Sequence, residues 1–103
     1  MHSETMANLE RFGTALADPI RRQVLLLLLD GPSYPNDLLV QIDTSQPNLS
    51  NHLACLRGCG LVLSERQGRR VRYELASEAL GHALSDLVSV ELRVDEHDHL
   101  GRS

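Results

Sequence analysis

Three features of the sequence predict a winged helix-turn-helix domain, mainly α with a small β-hairpin, that works as a homodimer. Apolar residues recur at helical spacing over most of the chain, two short helical stretches are split by a tight turn, and an arginine-tipped hairpin pattern follows them. The 103 residues suffice for one domain, residues 1–103, with no internal repeat or low-complexity segment. A single core of that size is marginal alone and often leans on a partner subunit. Only Phe12, Tyr34 and Tyr73 are aromatic, so Leu, Val and Ala must build it.

Met6, Leu9, Phe12, Gly13 and Leu16 give residues 5–17 one apolar helical face. Asp18-Pro19 reads as the N-cap and first residue of a second helix, about 19–30, that ends near Gly31. Its run of leucines is apolar nearly all round, so this helix is expected to be central and buried. Pro32 and Pro35 break the chain before a short helix, about 35–42, that turns Leu38, Leu39 and Ile42 inward. Asp43-Thr44 forms the turn. Ser45 is the N-cap of the next helix, about 46–59, where Pro47 is tolerable because first-turn amides lack intrahelical partners. LVLSER and RVRYEL then flank Gln67-Gly68-Arg69 as a hairpin, with Leu61, Leu63, Val71, Tyr73 and Leu75 on its covered face. The last helix, about 77–94, presents Leu80, Ala83, Leu84, Leu87, Val88, Val90 and Val94. The apolar faces of the first and last helices exceed what one small core can cover, so they are expected to form the dimer interface. The tail, 95–103, is polar and expected to be mobile.

The net charge of −4 argues against nucleic acid until its distribution is read. Residues 45–73 carry Arg57, Arg66, Arg69, Arg70 and Arg72 against Glu65 alone, whereas both flanks are acidic. A basic patch on an acidic protein is what a compact DNA-binding face looks like, although a solvated charged hairpin would look the same. MHSETM has no basic stretch leading into an apolar one, and the longest apolar run, Val24 to Leu29, is far too short to span a bilayer. A soluble cytoplasmic protein without membrane contact is therefore expected. Thiols stay reduced there, so a close cysteine pair reads as metal-binding or redox-active rather than structural.

The helix of about 46–59 carries both kinds of chemistry. Leu49, Leu53 and Leu56 define its inward stripe. Ser50 and Asn51 lie on the outer arc, with Gln46 and Asn48 at its edges near Ser45. Short amides and hydroxyls at the start of such a helix suit base edges and phosphates in a major groove of double-stranded operator DNA. Arg66, Arg69, Arg70 and Arg72 would add mostly phosphate contacts, while those alternating inward would support the wing instead. Cys55 and Cys59, the only cysteines, stand four residues apart on one flank of the same helix. That spacing brings both thiols within reach of one soft metal ion, although a small buried cysteine is the commoner role for that residue type.

ALADPIRRQVLLLL, SQPNLSNHLACLRGCGLV and the hairpin GRRVRYEL together resemble the ArsR/SmtB family of dimeric winged-helix repressors over roughly residues 9–94. The resemblance implies a homodimer that represses an efflux or detoxification gene and leaves DNA when metal binds. Within the family, HLACLRGCGLV is most similar to cadmium- and lead-sensing members whose sensor thiols form a C-x-x-x-C on the recognition helix. In such a member a third cysteine comes from the C-terminal tail, and this chain has none. His97 and His99 are the natural substitutes, with Asp95, Glu96 or Asp98 as oxygen donors. A set of two sulfurs with imidazole would favour Zn(II) or Cd(II), and a pure thiolate set Pb(II). Two other metal sites of the family lack counterparts: Asp37-Leu38-Leu39-Val40 carries no thiol, and His82 is the only histidine between 77 and 94. His2 is at most part of a weaker second site, and His52 is expected to make a structural hydrogen bond.

Competing readings keep the repressor but replace metal with arsenite or thiol oxidation, or make the fold a protein-interaction module. A helical i, i+4 pair is poorly placed for an unstrained disulfide, arsenite would want a third thiol, and the arginine-rich window argues against the module. No nucleophile–base set, phosphate loop or catalytic carboxylate pair stands out, so an enzyme is not expected.

Overall fold

The computed structural model describes residues 3–95. They run α1 (Ser3–Leu16), α2 (Pro19–Leu28), α3 (Pro35–Gln41), α4 (Gln46–Gly58), β1 (Val62–Gln67), β2 (Arg70–Leu75) and α5 (Glu78–Ser89). Helix starts are chemically specified. The Asp18 carboxylate accepts from the amides of Ile20 (2.8 Å) and Arg21 (3.1 Å) at the head of α2. Ser45 Oγ accepts from Asn48 N at 3.2 Å, and Ser77 Oγ from Leu80 N at 3.1 Å. Each side chain satisfies amides that no helical carbonyl can reach.

α2 is shorter and less enclosed than its leucine run implies. It ends at Leu28, and Leu29–Asp30 form a turn before Gly31, whose φ of 132° favours glycine. Val24, Leu25 and Leu28 are buried against α1, α4 and β2, but Leu26 is 48% exposed. Neighbours cover one side of α2 only, and leucine content alone does not reveal how many neighbours a helix has.

α3 and α4 are joined by a four-residue connection, 42–45, and share the core through Leu38, Ile42, Leu49, Leu53 and Leu56. This is the helix-turn-helix. α4 closes one residue before the expected end: Cys59 is its C-cap and Gly60, at φ 85°, turns the chain out.

β1 and β2 are antiparallel, in register from Val62↔Leu75 to Gln67↔Arg70. Gly68 (φ 64°) and Arg69 make the two-residue tip. Ser33 adds one bridge, exchanging two backbone hydrogen bonds with Tyr73 at 2.8 and 2.9 Å. The covered face matches the expectation at Leu61, which is buried, but not at Leu63. Leu61 precedes the strand, held by Leu61 N to Leu56 O (3.0 Å) and Ala76 N to Leu61 O (2.9 Å). The pleat therefore starts at Val62, which is buried, and turns Leu63 outward to 51% exposure.

α5 stops at Ser89, five residues before the expected end, and 90–95 have no regular structure. Ser89 Oγ donates to Asp86 O at 2.8 Å, competing with the helical ladder, and β-branched Val90 follows. Only Leu80 and Leu84 of α5 and Ala15 of α1 are buried. Met6, Leu9, Leu87 and Val88 are all more than half exposed. An apolar groove of about 210 Å³ runs between Leu16, Leu25, Leu26, Leu84, Leu87 and Val88. The two helices expected at a dimer interface thus leave their apolar faces uncovered. No described helix is long and apolar enough to cross a membrane. Of the tail expected over 95–103, all but Asp95 lies outside the described residues.

Candidate nucleic-acid interface and thiol pair

The start of α4 is open. Ser45, Gln46, Asn48, Ser50 and Asn51 are all exposed, while Leu49, Leu53 and Leu56 anchor the opposite face. Ser45 is committed to its cap, and Asn48 Nδ2 donates to Thr44 Oγ1 at 2.7 Å, which orients the amide. Gln46 lines a cleft of about 210 Å³ with Tyr34, Pro35, Asn36, Arg69, Arg70 and Val71. The first turn of α4 and the wing tip therefore border one concave surface.

The four wing arginines divide into two kinds. Arg66 and Arg69 are exposed and have no ion-pair partner among the described residues. Arg70 stacks its guanidinium 3.5 Å above the Tyr34 ring and lies 3.5 Å from Asp37. The Tyr34 hydroxyl in turn donates to Gln67 Oε1 at 2.6 Å. Arg72 is half-buried and 3.3 Å from Glu74. Arg70 and Arg72 thus brace the wing, and Arg66 and Arg69 are free to meet an anion. Arg57, on the last turn of α4 and 3.5 Å from Ser64 Oγ, adds an exposed cation that sequence reasoning counted but did not place in the site. Tyr34 was missed as well, because its role depends on the fold returning β2 beside α3.

Cys55 and Cys59 lie at the far end of α4, half-buried on the flank beside the leucine stripe. Cys59 N donates to Cys55 O at 2.9 Å. Burial raises the Cys59 thiol pKa above its ordinary value, and the charge and hydrogen bond of Cys55 raise it further; Arg21 and Arg11 pull the other way. Cys59 borders two clefts against α1, one with Glu10, Arg11 and Thr14, the other with Asn8, Phe12 and Leu80. Cys59 thus faces the α1 side of the domain, and the pair lies at the opposite end of α4 from its exposed start. Two adjacent sulfurs of this kind suit a soft cation but supply half of a tetrahedral set. Among the described residues, no group of three His, Cys, Asp or Glu could hold a metal. His97 and His99 lie outside the described residues, as does His2.

The remaining histidines are elsewhere. His52 Nδ1 is 3.1 Å from an Arg21 terminal nitrogen and its Nε2 is 3.5 Å from Asp18, the structural bonding expected of it. His82 is exposed and lines a separate cleft between α2, the hairpin and α5.

Known proteins agree with this architecture. The family described as bacterial regulatory protein, arsR family, matches residues 18–64, from the cap of α2 into β1. The HTH-type transcriptional regulator CmtR of Mycobacterium tuberculosis is 53% identical over 87 residues, 84% of this chain and 74% of that protein. The NMR structure of the cadmium metal-sensor CMTR from Mycobacterium tuberculosis superposes with a TM-score of 0.68 at 53% identity, covering 84% of this chain and 90% of that one. A homodimeric winged helix-turn-helix DNA-binding domain from Mycobacterium bovis, a possible ArsR-family transcriptional regulator, gives 0.74 at 27% identity, covering 98% and 89%. The chain belongs to the ArsR family of winged helix-turn-helix transcriptional regulators.

Proposed function

We propose that this protein is a homodimeric transcriptional repressor that binds operator DNA and releases it when a soft divalent metal, Cd(II), Pb(II) or Zn(II), occupies Cys55 and Cys59. One observation carries the reading: two adjacent, half-buried thiols share the helix whose other end is exposed beside the wing, in a chain 53% identical to a protein described as a cadmium metal-sensor.

Each part of the chain has a task in this scheme. Ser50, Asn51 and Gln46 face base edges, Ser45 and Asn48 fix the first turn, and Arg66 and Arg69 neutralise phosphates, with Arg70 and Arg72 holding the wing in place. Cys55 and Cys59 give up their protons and hold the cation as thiolates, which supplies the bond that links the helix end to further donors. His97 and His99 are the proposed completing ligands. α1 and α5 bury their open apolar faces against a second copy, and the two recognition helices then enter successive major grooves. By linkage, the factor by which metal weakens operator binding equals the factor by which operator weakens metal binding.

The test is a Cd(II) titration of reduced protein followed by thiolate-to-metal charge-transfer absorbance. Operator affinity is measured in parallel on a duplex selected from random sequence by the metal-free protein. A saturable band that disappears in Cys55→Ser, together with weaker DNA binding, supports the reading. Weakening of the band in a chain ending at Val94 supports a completing ligand from residues 95–103. Unchanged operator affinity at saturating Cd(II) refutes the metal-responsive repressor.

A further inference from the structure

Arg21 of α2 stands where three helices meet. Its Nε donates to Ala15 O at 3.3 Å and one terminal nitrogen donates to Thr14 O at 2.8 Å, both in the last turn of α1. Those carbonyls lack α-helical partners, so the contact ties down the end of that helix. The other terminal nitrogen lies 3.1 Å from His52 Nδ1 on α4. A guanidinium only donates, so Nδ1 must accept, and the ring N–H is then on Nε2, 3.5 Å from Asp18. Asp18 is itself the cap of α2. His52, Cys55 and Cys59 follow one another at spacings of three and four, and so lie along one flank of α4.

We propose that Arg21 is the positioning residue that couples the thiol flank of α4 to the end of α1, so that occupancy of Cys55 and Cys59 changes how the recognition helix is held against the dimer-forming helix. This inference rests on the metal-responsive reading above and names its internal route. A planar guanidinium fork can hold two carbonyls and a ring nitrogen in one rigid arrangement, which a lysine ammonium on a flexible stem does not reproduce. The clasp is therefore either made or broken, the discrete behaviour that a coupling element needs.

The experiment uses the full chain with Arg21→Lys, His52→Leu and His52→Gln. It measures the Cd(II) charge-transfer band, the metal-free affinity for the selected duplex, and the ratio of affinities without and with Cd(II). Arg21→Lys and His52→Leu are expected to keep the band and to bind DNA within about threefold of the parent, while the ratio falls about tenfold or more. His52→Gln, whose amide oxygen accepts from Arg21 again, is expected to keep the ratio. A ratio unchanged in both Arg21→Lys and His52→Leu overturns the proposal. So does a loss of stability and metal-free affinity without a change in ratio, which is what a purely structural role would give. If the unsubstituted protein shows a band but no loss of DNA affinity, the repressor reading fails first and the coupling role falls with it. If the unsubstituted protein responds and the variants respond equally, only the coupling role falls.

Discussion

The division of the wing arginines makes a quantitative prediction about salt. Arg69 sits at the hairpin tip with no ion-pair partner among the described residues, whereas Arg70, next to it, is stacked 3.5 Å over Tyr34 and 3.5 Å from Asp37. Arg69→Gln should therefore remove one phosphate contact per protomer, two per dimer, and leave folding unchanged. At about 0.9 per phosphate, the slope of log affinity against log salt should become shallower by about 1.8. Between about 50 and 200 mM salt, binding should then weaken roughly 12-fold less than in the parent. Arg70→Gln should do the opposite. It loses a cation–π contact worth about 0.5–1 kcal/mol and an exposed ion pair worth about 0–1 kcal/mol, so stability falls by about 1 kcal/mol with little change in slope. Fluorescence anisotropy over a salt series reads the first effect, and urea unfolding at fixed protein concentration reads the second. A slope that moves with Arg70→Gln and not with Arg69→Gln would refute the division.

Three further outcomes follow from the core, the thiols and the α2 cap. Leu56 is fully buried in the recognition-helix stripe, so Leu56→Ala should lower unfolding free energy by about 2–5 kcal/mol; a loss under about 1 kcal/mol would mean the stripe is not the anchor. Burial, followed by Cys55, raises the Cys59 thiol above its ordinary pKa of 9.0, so the thiol is protonated at neutral pH. Cd(II) must displace that proton, and its affinity should rise with pH while protons are released on binding, measurable by calorimetry in buffers of different ionisation enthalpy. Affinity independent of pH would count against thiolate ligation. The raised thiol also contributes stability that is complete below the unfolded pKa and is lost as pH rises through the folded value. Desolvation pushes Asp18 upward, but the amides of Arg21 and Ile20 and the nearby His52 and Arg21 outweigh it and hold the carboxyl below 3.8. Its contribution is thus present above that value and lost as pH falls through the folded pKa. Asp18→Asn keeps a capping oxygen but not the charge, so acid unfolding should become less steep, and an identical acid profile would remove Asp18 from the account.

Most of the architecture was legible because local chemistry specified it. Asp18-Pro19, Ser45 with Pro47, and Gly60 mark helix ends by caps and fixed φ, and the structure places ends within a residue or two of those signals. Leu49, Leu53 and Leu56 repeat at the helical period and are buried as that period requires. The misreadings arose where the outcome depends on distant neighbours. Leu63 turns outward because Leu61 is held by Leu56 and Ala76, which shifts the start of the pleat, and alternation in sequence does not say where a pleat begins. α5 ends early because Ser89 bonds back to Asp86, a competition invisible in a hydrophobic count. The candidate site was legible as residue types, since the cysteine spacing and the arginine cluster are sequence facts. Which arginine is free was not legible, because Tyr34 and Asp37 meet Arg70 only after β2 folds back beside α3.

The position of the thiols on α4 constrains how any ligand there can act. Cys55 and Cys59 occupy the last turn, and the exposed amides and hydroxyls that face outward occupy the first turns of the same helix. Leu49, Leu53 and Leu56 are packed at no more than 1% exposure between those ends, so the helix has no slack to bend within the core. A pull at the thiol end must therefore move α4 as a rod or move what it rests on. α1 is the element that can yield: it packs on α2, buries only Ala15, and borders Cys59 through Glu10, Arg11 and Thr14. In a dimer assembled through α1 and α5, shifting α1 against α4 changes the distance between the two recognition helices. Half-site spacing on DNA is fixed by the helical repeat, so a small change in that distance is enough to lose one of the two major-groove contacts. On this argument a ligand held by the thiols has no need to touch the first turns of α4, and the Arg21 contacts to Thr14, Ala15 and His52 lie along the coupling route proposed above.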